Sequence, residues 1–386
     1  MKIPFRTSLV LLSLSFAAHA APAYPEYRVT IVGPANSSAT DINEAGVVVG
    51  TYPAGAPLTR GFINRGKGVI TLGTLGGTSS NAVAINDKGQ VLGNWTTQGG
   101  QQRGYIDYQG RQRDIGTIPG LGTTYTDINN AGYITAIGFT PGGGFDGTRS
   151  FLRSPNGKFR DIGKLPFEEP TLTNAFALNN RNQITGESGP FTFPEQPVRA
   201  FVWTNGVMRD LGDFGLEPNS GRAINDRGQI TGYMSLPEGD FDQVAFLYSN
   251  GRLLDIDGRP PTEDRYSQGN GINNYGHIVG FSNHLSGFIW RGRKMQSLNA
   301  LIDPRLGWNI TDALAINDAG QIAANATRGG VQYAVRLDLI RPHLLAAPDL
   351  GAEAAVEAAV SPAQAAAEAK AEEEAQRREV VKPVQQ

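Results

Sequence analysis

Two sets of side chains in this sequence could do chemistry. The first is a scatter of carboxylates, Glu168, Glu169, Glu217, Glu263, Asp264 and Asp303, in segments that join one sequence repeat to the next. Glycan hydrolysis needs only two carboxyl groups at a suitable separation, so these residues, with Asp240 or Asp242, are the candidates for a hydrolase or lyase site. Their spacing singles out no pair, and Arg259, Arg265 and Arg305 lie among them, which marks part of this charge for pairing or solvation. The second set puts aromatic rings in polar loops: Trp95, Phe145 with Asp146, Phe193 with Glu195, and Phe241 amid Glu238, Asp240 and Asp242. Such segments suit stacking on a sugar with hydrogen bonds to its hydroxyls, or docking on a protein. The plainer alternative is that each ring pins its own loop to the scaffold.

Composition narrows the chemistry. The 386 residues include no cysteine, so thiolate catalysis, Cys metal sites, disulfides and a lipid-modified N-terminal Cys are out. Beyond the leader the histidines are His277, directly after a turn glycine, His284 in the shortest variable connection, and His343 past the repeats. That scatter predicts no catalytic triad, no multi-His metal site and no cofactor. A formal net charge of -2 argues against a nucleic-acid surface. With 49 glycines and 18% charged residues, the chain reads as turn-rich and β.

Lys2, Arg6, the apolar run Leu9 to Ala18 and the small-residue end Ala18-His19-Ala20 make residues 1–20 a secretory signal peptide with cleavage near Ala20. A membrane anchor is the alternative, but the run falls short of the ~20 residues a spanning helix needs. The product is expected in the periplasm or outside the cell, with no membrane insertion, as a monomer.

The elements that must position these groups come from a repeat. Ile42-Asn43, Ile85-Asn86, Ile128-Asn129, Leu178-Asn179, Ile224-Asn225, Ile272-Asn273 and Ile316-Asn317 recur at Asn spacings of 43, 43, 50, 46, 48 and 44 residues. Three residues after each Asn stands Gly46, Gly89, Gly132, Gly228, Gly276 or Gly320, the last position of a four-residue hairpin turn that needs φ > 0. The fourth copy has Asn182 there, the side chain that best tolerates that region. The turn Asn is expected to bond its own backbone as an Asx turn; a calcium-binding ring is the alternative. A second strand follows each turn, a third is centred on Phe62, Tyr105, Phe151, Phe201, Phe246 or Phe288, and a fourth ends in forms such as Arg113-Asp114-Ile115-Gly116. Four short strands per ~45 residues, seven times over, predict an all-β, seven-bladed β-propeller over 25–342. The last copy lacks a fourth strand, and Tyr27 to Gly33 matches a lone one, so the N-terminal strand is expected to complete the seventh blade.

Leu72 to Ser80, Ala84 to Gln90, Arg199-Ala200-Phe201-Val202-Trp203 and Arg209-Asp210-Leu211-Gly212 resemble the HAF-type extracellular repeats of bacterial secreted proteins. The resemblance spans roughly 25 to 340 and implies export and a repeat β fold; it implies no reaction. It departs in the last copy, where Ala324 replaces the strand-end Gly and Val335 the aromatic, so that blade is expected to pack differently.

Connection lengths locate function. The strand-two to strand-three and strand-four to strand-one connections vary from copy to copy, whereas the other two are fixed. In an antiparallel blade the two variable connections share one side of the disc, and recognition sits on variable loops held by a rigid scaffold. The expected function is therefore a secreted binding or scaffolding module with a carbohydrate or protein partner on that side and no catalysis; the alternative is the carboxylate-dependent enzyme at the axis. Beyond Leu350 the composition turns to alanine, glutamate and glutamine, and Ser361-Pro362 resembles a helix start, predicting helix over 363–379 in a 343–386 tail. Its apolar residues there are alanines, so it is read as an exposed, partly disordered spacer, with a partner-binding helix as the alternative.

Overall fold

The computed structural model describes residues 25–140, 147–167, 171–190, 198–212, 218–235, 243–260 and 264–340. Over these the chain folds into seven four-stranded antiparallel sheets. In chain order the blades occupy residues 38–71, 79–116, 122–161, 171–210, 219–255 and 267–297, and the seventh joins 309–339 to Tyr27–Ala35. The N-terminal strand Tyr27–Ala35 pairs with Val331–Leu339, Tyr27 opposite Leu339 and Ile31 opposite Val335. This is a seven-bladed β-propeller closed by its N-terminal strand, as the chain ends predicted. Closure matters because it covers the sheet edge that a linear array leaves open. It is reinforced at its start, where Glu26 Oε2 meets Arg291 Nη2 at 2.5 Å and the Glu26 and Tyr27 N–H groups both donate to the Leu301 carbonyl.

The first hairpin of each blade is the predicted turn. Gly46 N–H donates to the Asn43 carbonyl at 2.9 Å with φ 72°, and Asn182, in the fourth copy, adopts the same conformation at φ 59°. Strand three then lays its aromatic across strand two, burying Phe62, Tyr105, Phe201, Phe246 and Phe288 almost completely, each worth about 2 to 3 kcal/mol of apolar burial. Strand two admits them because it carries glycine opposite: a Cβ on Gly93 would lie 2.4 Å from Tyr105 Cζ and 2.2 Å from the Asn81 carbonyl. In the seventh blade both members change together. Ala324 stands opposite Val335, the smaller partner leaving room for the methyl, and the first strand has two register shifts where the other blades have one.

The Arg-Asp-Leu-Gly signature has a local cause. Arg103 pairs with Asp114 at 2.6 Å and Arg199 with Asp210 at 3.0 Å, and Arg149 pairs with Asp161, each linking strand three to strand four. The other carboxylate oxygen accepts the N–H of Gly116, Gly212 or Gly163 two residues on, at 2.8 Å. Blade five has Val244 where the Arg would stand, and there Arg265, from the connection into blade six, reaches Asp255.

Candidate functional site

At the turn side of the axis, the seven Asn side chains form a closed circle. Asn43 Nδ2 donates to the Asn86 carbonyl, Asn86 to Asn129, Asn129 to Asn179, Asn179 to Asn225, Asn225 to Asn273, Asn273 to Asn317, and Asn317 back to Asn43, at 2.8 to 3.1 Å. Each Oδ1 accepts the N–H four residues on in its own hairpin, the Asx-type bond that was expected. A second circle runs beside the first. The N–H groups of Glu44, Asp87, Asn130, Asn180, Asp226, Asn274 and Asp318 each donate to the side-chain oxygen of the next member, closing from Asp318 onto Glu44. The polar atoms that a calcium ring would use are thus spent joining blade to blade.

Three residues before each Asn the first strand breaks register with the second. The skipped residue is Thr40, Val83, Thr126, Phe176, Arg222, Asn270 or Leu314. Bulges of this kind redirect a side chain, and all seven line one axial channel of about 210 Å³, together with Asp41, Asp127 and the small residues at the equivalent places in other blades. Seven blades therefore contribute seven different surroundings to one cavity.

The charged groups here behave in two ways. Asp41 Oδ1 and Oδ2 accept from the Ile42 and Ile85 N–H groups, and Asp127 likewise from Ile128 and Leu178, so each carboxylate staples its blade to the next. Burial pushes Asp41 up to about 8, helped by Asp127, and Asp127 up to about 6, against the pull of those N–H groups. Asp312, also pushed up to about 6 by burial, accepts from Asn270 Nδ2 at 2.9 Å. Arg222 is different: its guanidinium lies 4.3 Å from the Phe176 ring centroid and 5.4 Å from that of Tyr233, and its buried Nε has no hydrogen-bond partner.

Of the candidate rings and carboxylates singled out in the sequence, three fall within the described part: Trp95, Asp264 and Asp303, the last paired with Arg305 at 2.7 Å where it caps a short 3-10 helix. Trp95 stands inside strand two, opposite Ser80 and Arg103, and is 9% exposed in the core formed with Leu72 and Tyr105. The stacking platform expected there is a core side chain, because the strand runs on to Thr96, through the segment read as a loop. Asp264 is exposed, and its carbonyl accepts from Arg259 Nη1 of its own loop and Asn283 Nδ2 of the next variable connection, tying the two together. Phe145, Asp146, Phe193, Glu195, Glu238, Asp240, Asp242, Glu168, Glu169, Glu217 and Glu263, and the tail from 343, lie outside the described residues.

Other residues were missed. Asp41 and Asp127 were readable, as the copies in which Asp replaces Ala or Gly before Ile-Asn. Leu75, Phe139, Tyr266 and Leu306 are exposed on or beside the variable connections, and nothing in their local sequence marks them. His277 occupies the place held elsewhere by Gln90, Gln183, Gln229 and Gln321, whose Oε1 accepts from the turn Asn; it is buried, and burial pushes it down to about 4.

No family model matches the chain, and no curated protein does. Solved structures do, as propellers. The β-propeller domain of the Trilobed protease from Pyrococcus furiosus aligns at 9% identity over 77% of this chain and 95% of its own, with a TM-score of 0.51. YCF48 bound to D1 peptide aligns at 11% identity over 84% and 99%, with a TM-score of 0.50. Pyrococcus horikoshii acylaminoacyl peptidase aligns at 12% identity over 78% of this chain and 51% of its own, with a TM-score of 0.54. At such identities the likeness is one of fold.

Proposed function

We propose that this chain is an exported, non-enzymatic binding module of the HAF-repeat type that holds a protein or carbohydrate partner on its variable face. The observation that carries the reading is the contrast between the two sides of the disc. The turn side spends its polar groups on two closed circles and carries its exposed apolar residues Val69, Tyr108 and Val207 at short fixed turns, while the other side bears connections of unequal length and the exposed Leu75, Phe139, Tyr266 and Leu306. Exposed apolar groups on connections of variable length suit an interface, and aromatic anchors at its centre carry most of the energy. Export rests on Lys2, Arg6 and the apolar run that follows. YCF48, a propeller of like fold, was solved with a peptide bound, which makes a peptide or protein partner the first to screen.

The test uses protein lacking residues 1–20 against a peptide library and a glycan array. Phe139→Ala with Tyr266→Ala, and separately Phe145→Ala with Phe193→Ala, are expected to weaken capture at least tenfold, while Lys88→Ala and Arg227→Ala on the turn side leave it unchanged. Loss from the turn-side variants instead, or turnover of a polysaccharide panel by the purified protein, would displace this reading.

A further inference from the structure

The axial channel holds one cation whose environment asks for a partner. Arg222 is the only basic residue among the seven bulge positions, so the backbone register aims it into the cavity rather than over the surface. Its flat faces are occupied, with Phe176 on the neighbouring blade at 4.3 Å and Tyr233 on its own at 5.4 Å. Its edge is occupied only in part, by Tyr233. The guanidinium carries five N–H donors in a rigid fork, Nε is buried and unbonded, and no carboxylate forms an ion pair with Arg222 among the described residues.

Seven other arginines of this propeller are treated differently, although Arg153, outside the channel, shares the unbonded Nε. Arg103, Arg149, Arg199, Arg259, Arg265, Arg291 and Arg336 each meet an Asp or Glu. Glu187 lies close enough to act on the Tyr233 hydroxyl, yet its Oε1 is held by Asn174 Nδ2 at 3.0 Å and it forms no ion pair with Arg222. A partly buried guanidinium without a counter-charge is costly, and that cost falls when an anion arrives. Two rings that hold the fork, with donors left over beyond the one bonded to Tyr233, supply the preorganisation that bidentate carboxylate recognition needs.

We infer that the axial channel is a carboxylate-binding site in which Arg222, held between Phe176 and Tyr233, clamps the anion. The proposal rests on the binding reading above and names the chemistry of its axis. A cavity of about 210 Å³ takes a small acid or the end of one chain, not a folded surface. Two sources of the same group fit: a free small dicarboxylate, or the C-terminal carboxylate of a peptide.

Isothermal titration calorimetry at low salt decides. The probes are succinate, the peptide Gly-Gly-Ala as free acid, and the same peptide as its C-terminal amide. Binding of succinate or the free acid, absence of binding by the amide, and at least a tenfold loss in Arg222→Gln are expected; the better of the two acids identifies the source. Arg222→Lys keeps the charge but not the fork and should weaken binding several-fold, which serves if Arg222→Gln fails to fold by circular dichroism. Equal binding by parent and Arg222 variants, equal binding of acid and amide, or no binding by the parent overturns the proposal. Phe139→Ala with Tyr266→Ala is expected to leave the acid affinity unchanged, so failure of the variable-face reading and failure of the clamp are seen separately.

Discussion

The two ends of the short segment from bulge to turn follow opposite rules. At the turn, Asn is invariant across seven blades and each side chain serves both its own hairpin and the next blade. Three residues earlier the same strand carries Thr40, Val83, Thr126, Phe176, Arg222, Asn270 and Leu314, all facing one channel. Residues that must satisfy two blades at once in every copy have one solution, whereas at the bulge only some copies, such as Thr40 and Asn270, bond the next blade, and the position is free to differ. The difference separates what closes the ring from what a ligand could meet.

The largest effect expected from breaking that contrast is at the turn. Asn179 is 3% exposed, donates to the Asn225 carbonyl and to Gln183 Oε1, and accepts from the Arg181 and Gln183 N–H groups. Asn179→Ala leaves those buried groups unpaired and opens the circle, for a loss of about 3 kcal/mol in urea unfolding. Asn270→Ala, at the bulge, is expected to cost about 1 kcal/mol, through its bond to Asp312. Equal costs at the two sites would erase the distinction.

How far the sequence showed this follows from the same physics. The turn was legible because its requirement is local: φ > 0 at Gly89 or Asn182 is a property of one residue. The circle was not, since the acceptor of Asn86 Nδ2 is a main-chain carbonyl at Asn129, 43 residues away, and a carbonyl leaves no mark on side-chain identity. Nor was the bulge, for one extra residue shifts the two-residue alternation and makes Thr126-Asp127 look like an ordinary strand step. Trp95 shows the complementary error, a ring that reads as a loop residue until the register puts it opposite Arg103.

Within the turns themselves, His277 is the outlier, and pH exposes it. Its ring is held neutral by burial, with a folded value of about 4 against an ordinary 6.5. The unfolded chain therefore takes up a proton between those values that the folded one does not, and stability is lost as pH falls from 6.5 to 4. Asp41 has the opposite sign: raised to about 8, it holds a proton that the unfolded chain has released, and stability is lost as pH rises from about 4 to 8. His277→Gln restores the residue used in four other blades and gives Asn273 the acceptor that Gln90 gives Asn86. Its gain over the parent at pH 5 is expected to exceed its gain at pH 8 by about 1 to 2 kcal/mol in urea titrations; a gain independent of pH would mean that His277 is not buried neutral.

A smaller effect sits at the turn glycine. Gly89 has φ 77° with nothing near its missing Cβ, so Gly89→Ala costs only backbone strain, about 1 kcal/mol. Asn182→Gly relieves the same strain but frees the unfolded chain, and should change stability by less than about 0.5 kcal/mol. Thermal unfolding of the pair tests whether conformation alone selects the residue here.

The smallest effect belongs to the channel. Val83→Thr keeps a β-branched side chain at the bulge and adds a hydroxyl where two other blades already have one: Thr40 Oγ1 donates to the Ala82 carbonyl at 3.1 Å and Thr126 Oγ1 to Thr135 at 2.8 Å. With such acceptors recurring from blade to blade, the added hydroxyl should find a partner, and the change should cost under about 0.5 kcal/mol in urea unfolding. A loss near that of Asn179→Ala would show the bulge positions to be as constrained as the turns. Their variety would then record packing demands particular to each pair of blades, and the channel would lose its standing as the place where the seven repeats are free to differ.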